Sequence, residues 1–229
     1  MKAFLTADWR MLAMLNWRVD PALVLPYVPR GTELDFHDGE TFLSVVGFLF
    51  RDTRLLGIPV PFHRAFEEVN LRCYVRRADR RAVTFIPEIV PRLAIATVAR
   101  LAYNEPYVAR PMRHRVGRAG AAYSWKHEGR WLELAVQGEG QPAPLAPGSH
   151  EEFIAEHYWG YCTQRDGGTI EYRVEHPSWR VWRSLETRLS PEAARFYPLE
   201  FAATLRGPPD TALLADGSAV TVCRPNRIY

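Results

Sequence analysis

Three groups of side chains have types and spacings that could do chemistry. The first is Glu68, Asn70 and Arg72, set two apart in FEEVNLRCYV (66–75). On a strand, period-two spacing turns all three to one side, between Phe66 and Tyr74. Glu67, Val69, Leu71, Cys73 and Val75 take the other side. A carboxylate, an amide and a guanidinium together offer a base and a fork that grips an anion. The same alternation also fits a strand with one face in solvent, and both readings stand. The second group is Arg100, Tyr103, Asn104, Glu105 and Tyr107, around the end of a helix. It fits either a site or a C-cap, in which asparagine stops the helix and arginine complements its dipole. The third is Glu156, His157, Tyr158, Trp159 and Tyr161, with His150 seven residues before His157. Lacking an HExxH pattern, it reads more readily as partly buried aromatics around a hydrogen-bonded histidine than as a metal site. His176, beside Pro177, reads as an ordinary turn residue.

Other chemistry lacks its residues. No GxSxG, P-loop, GxGxxG or CxxC occurs, and Cys73, Cys162 and Cys223 lie far apart. Neither a metal nor a cofactor is expected. Only Lys2 and Lys126 are lysines among 29 basic residues, which 26 acidic ones nearly balance. A net charge of +3 is too small for a nucleic-acid partner. No apolar run reaches the roughly 18 residues that span a bilayer, and the N-terminus lacks a signal-peptide pattern. No membrane partner and a cytoplasmic location are expected. The 229 residues, 12% of them aromatic, suit a single domain over 1–229.

The elements that must position these groups follow from apolar periodicity and turn residues. Strands are expected at 9–19, 32–36, 41–50, 66–75, 82–88, 120–127, 130–137, 169–176, 179–189 and 218–223. Asp38-Gly39 and Glu128-Gly129 mark hairpins. Helices are expected at 22–27, at 91–103 with Leu93, Ile95, Val98, Leu101 and Ala102 in the core, at 151–160 and at 190–199. Ser149 and Glu152 have capping-box spacing before the third. Residues 51–64 read as a Gly/Pro-broken loop that shapes a site or lid, and 138–149 as a long surface loop. The tally is an α+β fold.

WRMLAMLNWRVDPALVLPYVPRGTELD, FLSVVGFLFRDTRLLGIPVPFHRAFEEVNLR and ARLAYNEPY resemble the YqjF-like family of uncharacterised bacterial proteins, over most of the chain from Phe4 to about Trp182. That family looks like a branch of the acetoacetate-decarboxylase-like superfamily. The resemblance implies a strongly curved antiparallel sheet forming a cone-like barrel, with a pocket inside and three or four peripheral helices. Acetoacetate decarboxylases carry a Schiff-base lysine and a second lysine just after a helix-ending Ala-Tyr-Pro stretch. The matching stretch here is Ala102-Tyr103-Asn104, followed by Glu105 and Pro106. Neither residue can form an imine. The superfamily's strand acids find no match at Phe42-Leu43-Ser44 or near Arg54. Lys2 sits at a terminus and Lys126 at a solvated hairpin end, so a displaced-lysine decarboxylase is the weakest reading. The expected pocket comprises Glu68, Asn70, Arg72, Arg100, Tyr103, Asn104, Glu105, Tyr107 and His157. The expected role is binding of a small anionic metabolite, with Glu68 or Glu105 as base and Arg72 or Arg100 as anion clamp. The alternative is a noncatalytic ligand-binding or interaction module that kept the fold and lost the catalyst. Relatives with this fold commonly assemble, which implies a homodimer.

Overall fold

In chain order the elements are β1 (Ala3–Val19), α1 (Pro21–Val24), β2 (Glu33–Leu34), β3 (Thr41–Leu55), β4 (Ile58–Pro59), β5 (Phe66–Arg77), β6 (Arg80–Val90) and α2 (Leu93–Tyr103). Next come β7 (Tyr107–Ala109), β8 (Met112–Val116), β9 (Gly120–His127), β10 (Arg130–Pro144), α3 (His150–Ala155), β11 (Trp159–Thr163) and β12 (Thr169–Glu175). β13 (Arg180–Leu189), α4 (Ala202–Arg206), β14 (Thr211–Cys223) and β15 (Asn226–Arg227) complete the chain. They are seen in a computed structural model that describes residues 2–229, the side chain of Ala99 excepted.

All strands belong to one sheet, ordered β15-β12-β11-β6-β5-β3-β1-β14-β13-β10-β9-β8. A further pairing of β12 with β14 joins Val174 to Val222 and closes seven strands into a ring. Most pairings are antiparallel; β6 runs parallel to both β7 and β11. Bulges help the sheet curl. Met11 (φ 55°) is an extra residue in β1 where Arg10 pairs with Leu49 and Ala13 with Gly47. Asp52 (φ 50°) is an extra residue in β3 between the Thr6–Arg54 and Asp8–Arg51 pairs. One residue too many on one strand bends and twists it locally.

The ring wall has two dry sides. Outside it, Leu43, Val45, Val69, Leu71 and Cys73 share a core with Tyr123, Trp125, Leu134 and Phe201. Gly47 permits that contact, because a Cβ there would lie 2.5 Å from the Tyr123 ring. Inside, Phe48, Phe50, Phe66, Val83 and Trp179 form a second core around a cavity.

The expected α+β class and strongly curved sheet are observed, with four short helices at the periphery. Several local expectations need correction. Residues 51–64 are not simply a loop: β3 continues to Leu55 and pairs with β4 across a tight turn. Residues 138–144 extend β10 rather than form a surface loop, pairing Ala143 with Val181. The helix at 150 begins as its capping pattern indicates, with Ser149 Oγ accepting from Glu152 N–H at 3.1 Å. It stops at Ala155, because Glu156 (φ −94°, ψ 69°) leaves helical geometry and Trp159 starts a strand beside β6. Residues 190–199 form 3₁₀ turns rather than one helix. Of the core residues expected on α2, Leu93, Val98 and Leu101 are exposed and Ile95 and Ala102 half-buried; Ala96 and Tyr103 are the buried ones.

Candidate functional site

The cavity inside the ring holds about 240 Å³. That is below the roughly 300 Å³ at which drug-sized ligand sites begin, and suits a small metabolite. Its polar wall is built by register. Val46 of β3, Asn70 of β5, Glu88 of β6 and Tyr107 of β7 lie in one row across the sheet. Glu68 sits one step along β5 on the same face, and Arg72 one step the other way. Glu68 and Asn70 are each 2% exposed. The polar face of β5 is therefore turned inward, and the solvent-face reading fails.

Seven of the nine residues expected in the pocket line the cavity: Glu68, Asn70, Arg72, Tyr103, Glu105, Tyr107 and His157. Arg100 and Asn104 do not. Asn104 is a left-handed helix cap (φ 57°) whose Nδ2 donates to the Thr163 carbonyl at 3.0 Å. The Arg100 guanidinium donates to the Tyr107 carbonyl. At this helix end the C-cap reading describes those two residues. A tight turn just after it, Tyr107 N–H to Glu105 carbonyl at 2.8 Å, lies between the Glu105 and Tyr107 side chains that reach the cavity. His157 arrives from the segment after α3 and does not share a helix face with His150. His150 instead meets Thr211 Oγ1 at 2.7 Å, away from the cavity.

Three lining groups were not anticipated from the sequence. Glu88 is 2% exposed in an otherwise apolar stretch of β6. Asn70 pairs with Glu88 but Arg72 with Phe85, so β6 carries an extra residue next to Pro87. That bulge shifts the phase of the strand, and Val83, Phe85 and Glu88 all face inward. Only a reading that let Pro87 break the alternation could have found it. Tyr172 reaches the site because Gly160, opposite it on β11, has no side chain; a Cβ there would lie 2.3 Å from the Tyr172 ring. The aromatic lining of Trp9, Phe48, Phe50 and Trp179 gave no signal apart from composition; Phe66 shares the β5 face already read from the alternation. His176 also lines the cavity, stacked on Trp179 at 4.1 Å.

Hydrogen bonds tie part of this wall together. Tyr107 donates to Glu68 Oε2 at 2.9 Å and Asn70 Nδ2 to Glu68 Oε1 at 3.1 Å. Tyr172 donates to Glu105 Oε1 at 2.7 Å. Burial nonetheless dominates the ionisation of the acids. It pushes Glu68 up to about 7 against the bonds from Asn70 and Tyr107, which favour the carboxylate. It pushes Glu105 up to about 8, with Glu68 adding to the shift. Glu88 is raised well above the usual range by burial and then by Glu105 and Glu68. His157 is held down to about 4, chiefly by burial and further by Arg72 and Arg81, while Asp35 opposes. Its imidazole is neutral near pH 7, with Asp35 Oδ2 at 3.9 Å.

Several buried polar atoms of the lining have no protein partner: Arg72 Nε, Asn70 Oδ1, Glu88 Oε2, Glu105 Oε2 and both His157 nitrogens. Arg72 spends its Nη2 on the Ile154 carbonyl (2.9 Å) and Met14 Sδ (3.7 Å), and it forms no salt bridge among the described residues. An unpaired buried polar group costs about 1–3 kcal/mol, and these atoms are concentrated at the cavity wall. Lys2 and Lys126 are exposed, and neither lines the cavity. Among the described residues no group of His, Cys, Asp and Glu is arranged to hold a metal ion.

The fold is that of the acetoacetate decarboxylases. Among solved structures, the chain is similar to the enduracididine biosynthesis enzyme MppR complexed with pyruvate (TM-score 0.70, 13% identity, 100% of this chain and 91% of that one). It is equally similar to the acetoacetate decarboxylase of Legionella pneumophila (TM-score 0.70, 12% identity, 100% and 88%). At such identities the likeness establishes the fold alone. The chain belongs to the DUF2071 family, described as an uncharacterized conserved protein, whose pattern matches residues 6–219. It is 27% identical over 174 residues to the uncharacterized protein YqjF of Bacillus subtilis (strain 168), covering 74% of this chain and 72% of that protein. The YqjF-like resemblance is thereby borne out, in a chain with the acetoacetate-decarboxylase-like fold. Among the described residues no helix is long and apolar enough to cross a membrane.

Proposed function

We propose that the cavity binds a small anionic carbonyl compound and exchanges protons with it by noncovalent acid–base chemistry, without an imine. The observation that carries this reading is Arg72. Its Nε is buried without a partner in a cavity whose three glutamates are driven toward their neutral forms. A guanidinium among neutral acids seeks an anion, and its planar fork suits a carboxylate. With the carboxylate on Arg72, a protonated Glu105 or Glu88 donates a hydrogen bond to the carbonyl oxygen. Ionised Glu68, held by Tyr107 and Asn70, takes a proton from the adjacent carbon. A neutral carboxylic acid beside a carboxylate base is a known way to stabilise an enolate at neutral pH. A fold neighbour complexed with pyruvate supports trying 2-oxo acids first. The pocket roles of Glu68, Asn70, Arg72, Tyr103, Glu105, Tyr107 and His157 belong to this proposal, with Glu88 and Tyr172 added. Tyr103 acts as wall rather than as reactant, since its hydroxyl donates to the Cys223 carbonyl at 3.0 Å.

Calorimetry with pyruvate, longer 2-oxo acids and simple carboxylates tests binding. Arg72→Gln is expected to weaken it about 10- to 100-fold, as for loss of a charge-assisted hydrogen bond. Affinity is expected to fall between pH 6 and pH 9, as Glu68 and Glu105 ionise and repel the anion. Deuterium exchange at the carbon beside the carbonyl, followed by NMR, tests the chemistry. Borohydride treatment with pyruvate should leave the intact mass unchanged. Failure of every carboxylate to bind sinks the reading. The second reading, a noncatalytic ligand-binding module, is favoured by the absence of a lysine in the lining; binding without exchange would establish it.

A further inference from the structure

Half of the exposed large apolar side chains among the described residues stand on two short segments. Leu56, Ile58 and Phe62 lie on the β3–β4 turn, on β4 and on the loop after it, and Leu93, Val98 and Leu101 on α2. Phe62 is 89% exposed and Leu101 80%. The segments are neighbours. Leu56 N–H donates to the Phe4 carbonyl at 2.8 Å, and the Phe4 ring meets Tyr103, at the end of α2, edge-on at 5.2 Å. Both also contribute to the cavity, Leu55, Val60 and His63 from one and Ala94, Ile95 and Val98 from the other. The exposed apolar groups thus form the rim of the cavity mouth.

That rim is cationic. Residues 91–104 contain Arg92 and Arg100 and no acid. Residues 51–65 contain Arg51, Arg54 and Arg64 against one acid, Asp52, which pairs with Arg64. Arg54, Arg92 and Arg100 are exposed and form no salt bridge among the described residues.

We propose that this rim seats the protein on an anionic phospholipid bilayer. Ile58, Phe62 and Leu101 enter the headgroup boundary while Arg54, Arg92 and Arg100 meet lipid phosphates. Apolar tips fringed by arginines match such a surface on both counts, insertion and charge. A second copy of the chain fits less well. A twofold contact would set these arginines against their own images, with no free acid in either segment to pair them. A rigid protein face would also shut the mouth, whereas a bilayer accepts separate protruding side chains and leaves it open. Phe4, Leu5, Leu55, Val60, Ile95 and Val98 also line the cavity, an apolar surface continuous with the rim segments that suits a ligand with an apolar tail. The mode is peripheral and independent of the chemistry proposed for the interior.

Flotation of the full chain with vesicles of mixed phosphatidylglycerol and phosphatidylcholine, against pure phosphatidylcholine, tests the proposal. Binding to the anionic vesicles is expected, weakening as salt is added. At about fivefold per basic residue near the surface, Arg54→Glu/Arg92→Glu should lower partitioning more than about tenfold. Phe62→Ser/Leu101→Ser should lower it by a similar factor. Both pairs are exposed, so far-UV circular dichroism and melting temperature should hold. No binding to anionic vesicles at low salt overturns the proposal. So does a dimer in sedimentation equilibrium that Phe62→Ser/Leu101→Ser converts to monomer, which would assign the rim to a second copy.

Discussion

On the outer side of β5, Val69, Leu71 and Cys73 are fully enclosed in a core with Trp125 and Leu134. On the inner side, one residue along, Glu68 and Asn70 are almost as buried but face a cavity, with Tyr107 for company and several polar atoms unpaired. Both sides are almost wholly buried, so burial does not distinguish them. What distinguishes them is whether burial is satisfied. The outer side gains from every apolar contact, roughly 25 cal/mol per Å² removed from water. The inner side pays desolvation that its protein partners repay only in part. Such a side persists where the unpaired groups serve a ligand, and it should respond to mutation and to pH in the opposite sense to its neighbour.

The largest effect should come from the outer side. Leu71→Ala leaves a cavity among rigid neighbours and is expected to cost about 4 kcal/mol in urea unfolding, as for a fully enclosed leucine. Glu68→Gln, one face away, should cost far less at pH 5 and should stabilise the protein at pH 8. If both substitutions destabilise equally at pH 8, the contrast between the faces is wrong.

A pH titration sharpens the same comparison. Glu68 and Glu105 rise from a usual value of 4.5 to about 7 and about 8 on folding. Between about pH 4.5 and pH 8 the folded chain keeps protons that the unfolded chain has released. For these two acids stability therefore falls as pH rises through that window, by about 1.4 kcal/mol for each pH unit that separates a group's folded and unfolded pKa. The fall should be shallower in Glu68→Gln and in Glu105→Gln, and shallower still in the double variant, where buried Glu88 remains to be ionised. A melting temperature that climbs from pH 5 to pH 8 would mean these acids ionise without cost. Gly160→Ala should act more mildly. Its methyl displaces the Tyr172 ring, breaks the bond to Glu105 and costs about 2 kcal/mol. Losing that donor should also raise the Glu105 pKa further.

The sequence carried much of the inner wall because β5 is regular. Strict alternation from Phe66 to Val75 put Glu68, Asn70 and Arg72 on one side, although it could not say which side faced water. The curvature that turns them inward is produced by bulges at Met11 and Asp52, where no glycine or proline announces the break. Glu88 was hidden by the bulge beside Pro87. The Pro/Gly-rich residues 138–144 looked like a loop because proline seldom joins a sheet interior. Here they extend β10 with an irregular register, Glu139 pairing with Arg183 and Ala143 with Val181. The ring itself closes through pairs such as Val174–Val222, and no local pattern encodes a contact of that separation.

The smallest effect belongs to α2, whose apolar pattern suggested a core helix. Among the described side chains there, Ala96 and Tyr103 are buried and Ile95 and Ala102 half-covered, while Leu93 and Leu101 project from the rim. In buffer, Leu101→Ser removes side-chain surface that was never withdrawn from water. It should change urea-unfolding stability by less than about 0.5 kcal/mol. A loss of 2 kcal/mol or more at micromolar protein would show that Leu101 is covered in solution, and a loss that grows with protein concentration would trace the cover to another copy. An unchanged value keeps the rim free, in contrast to Leu71, whose equally apolar side chain is expected to cost about eight times as much to truncate because it sits between packed walls.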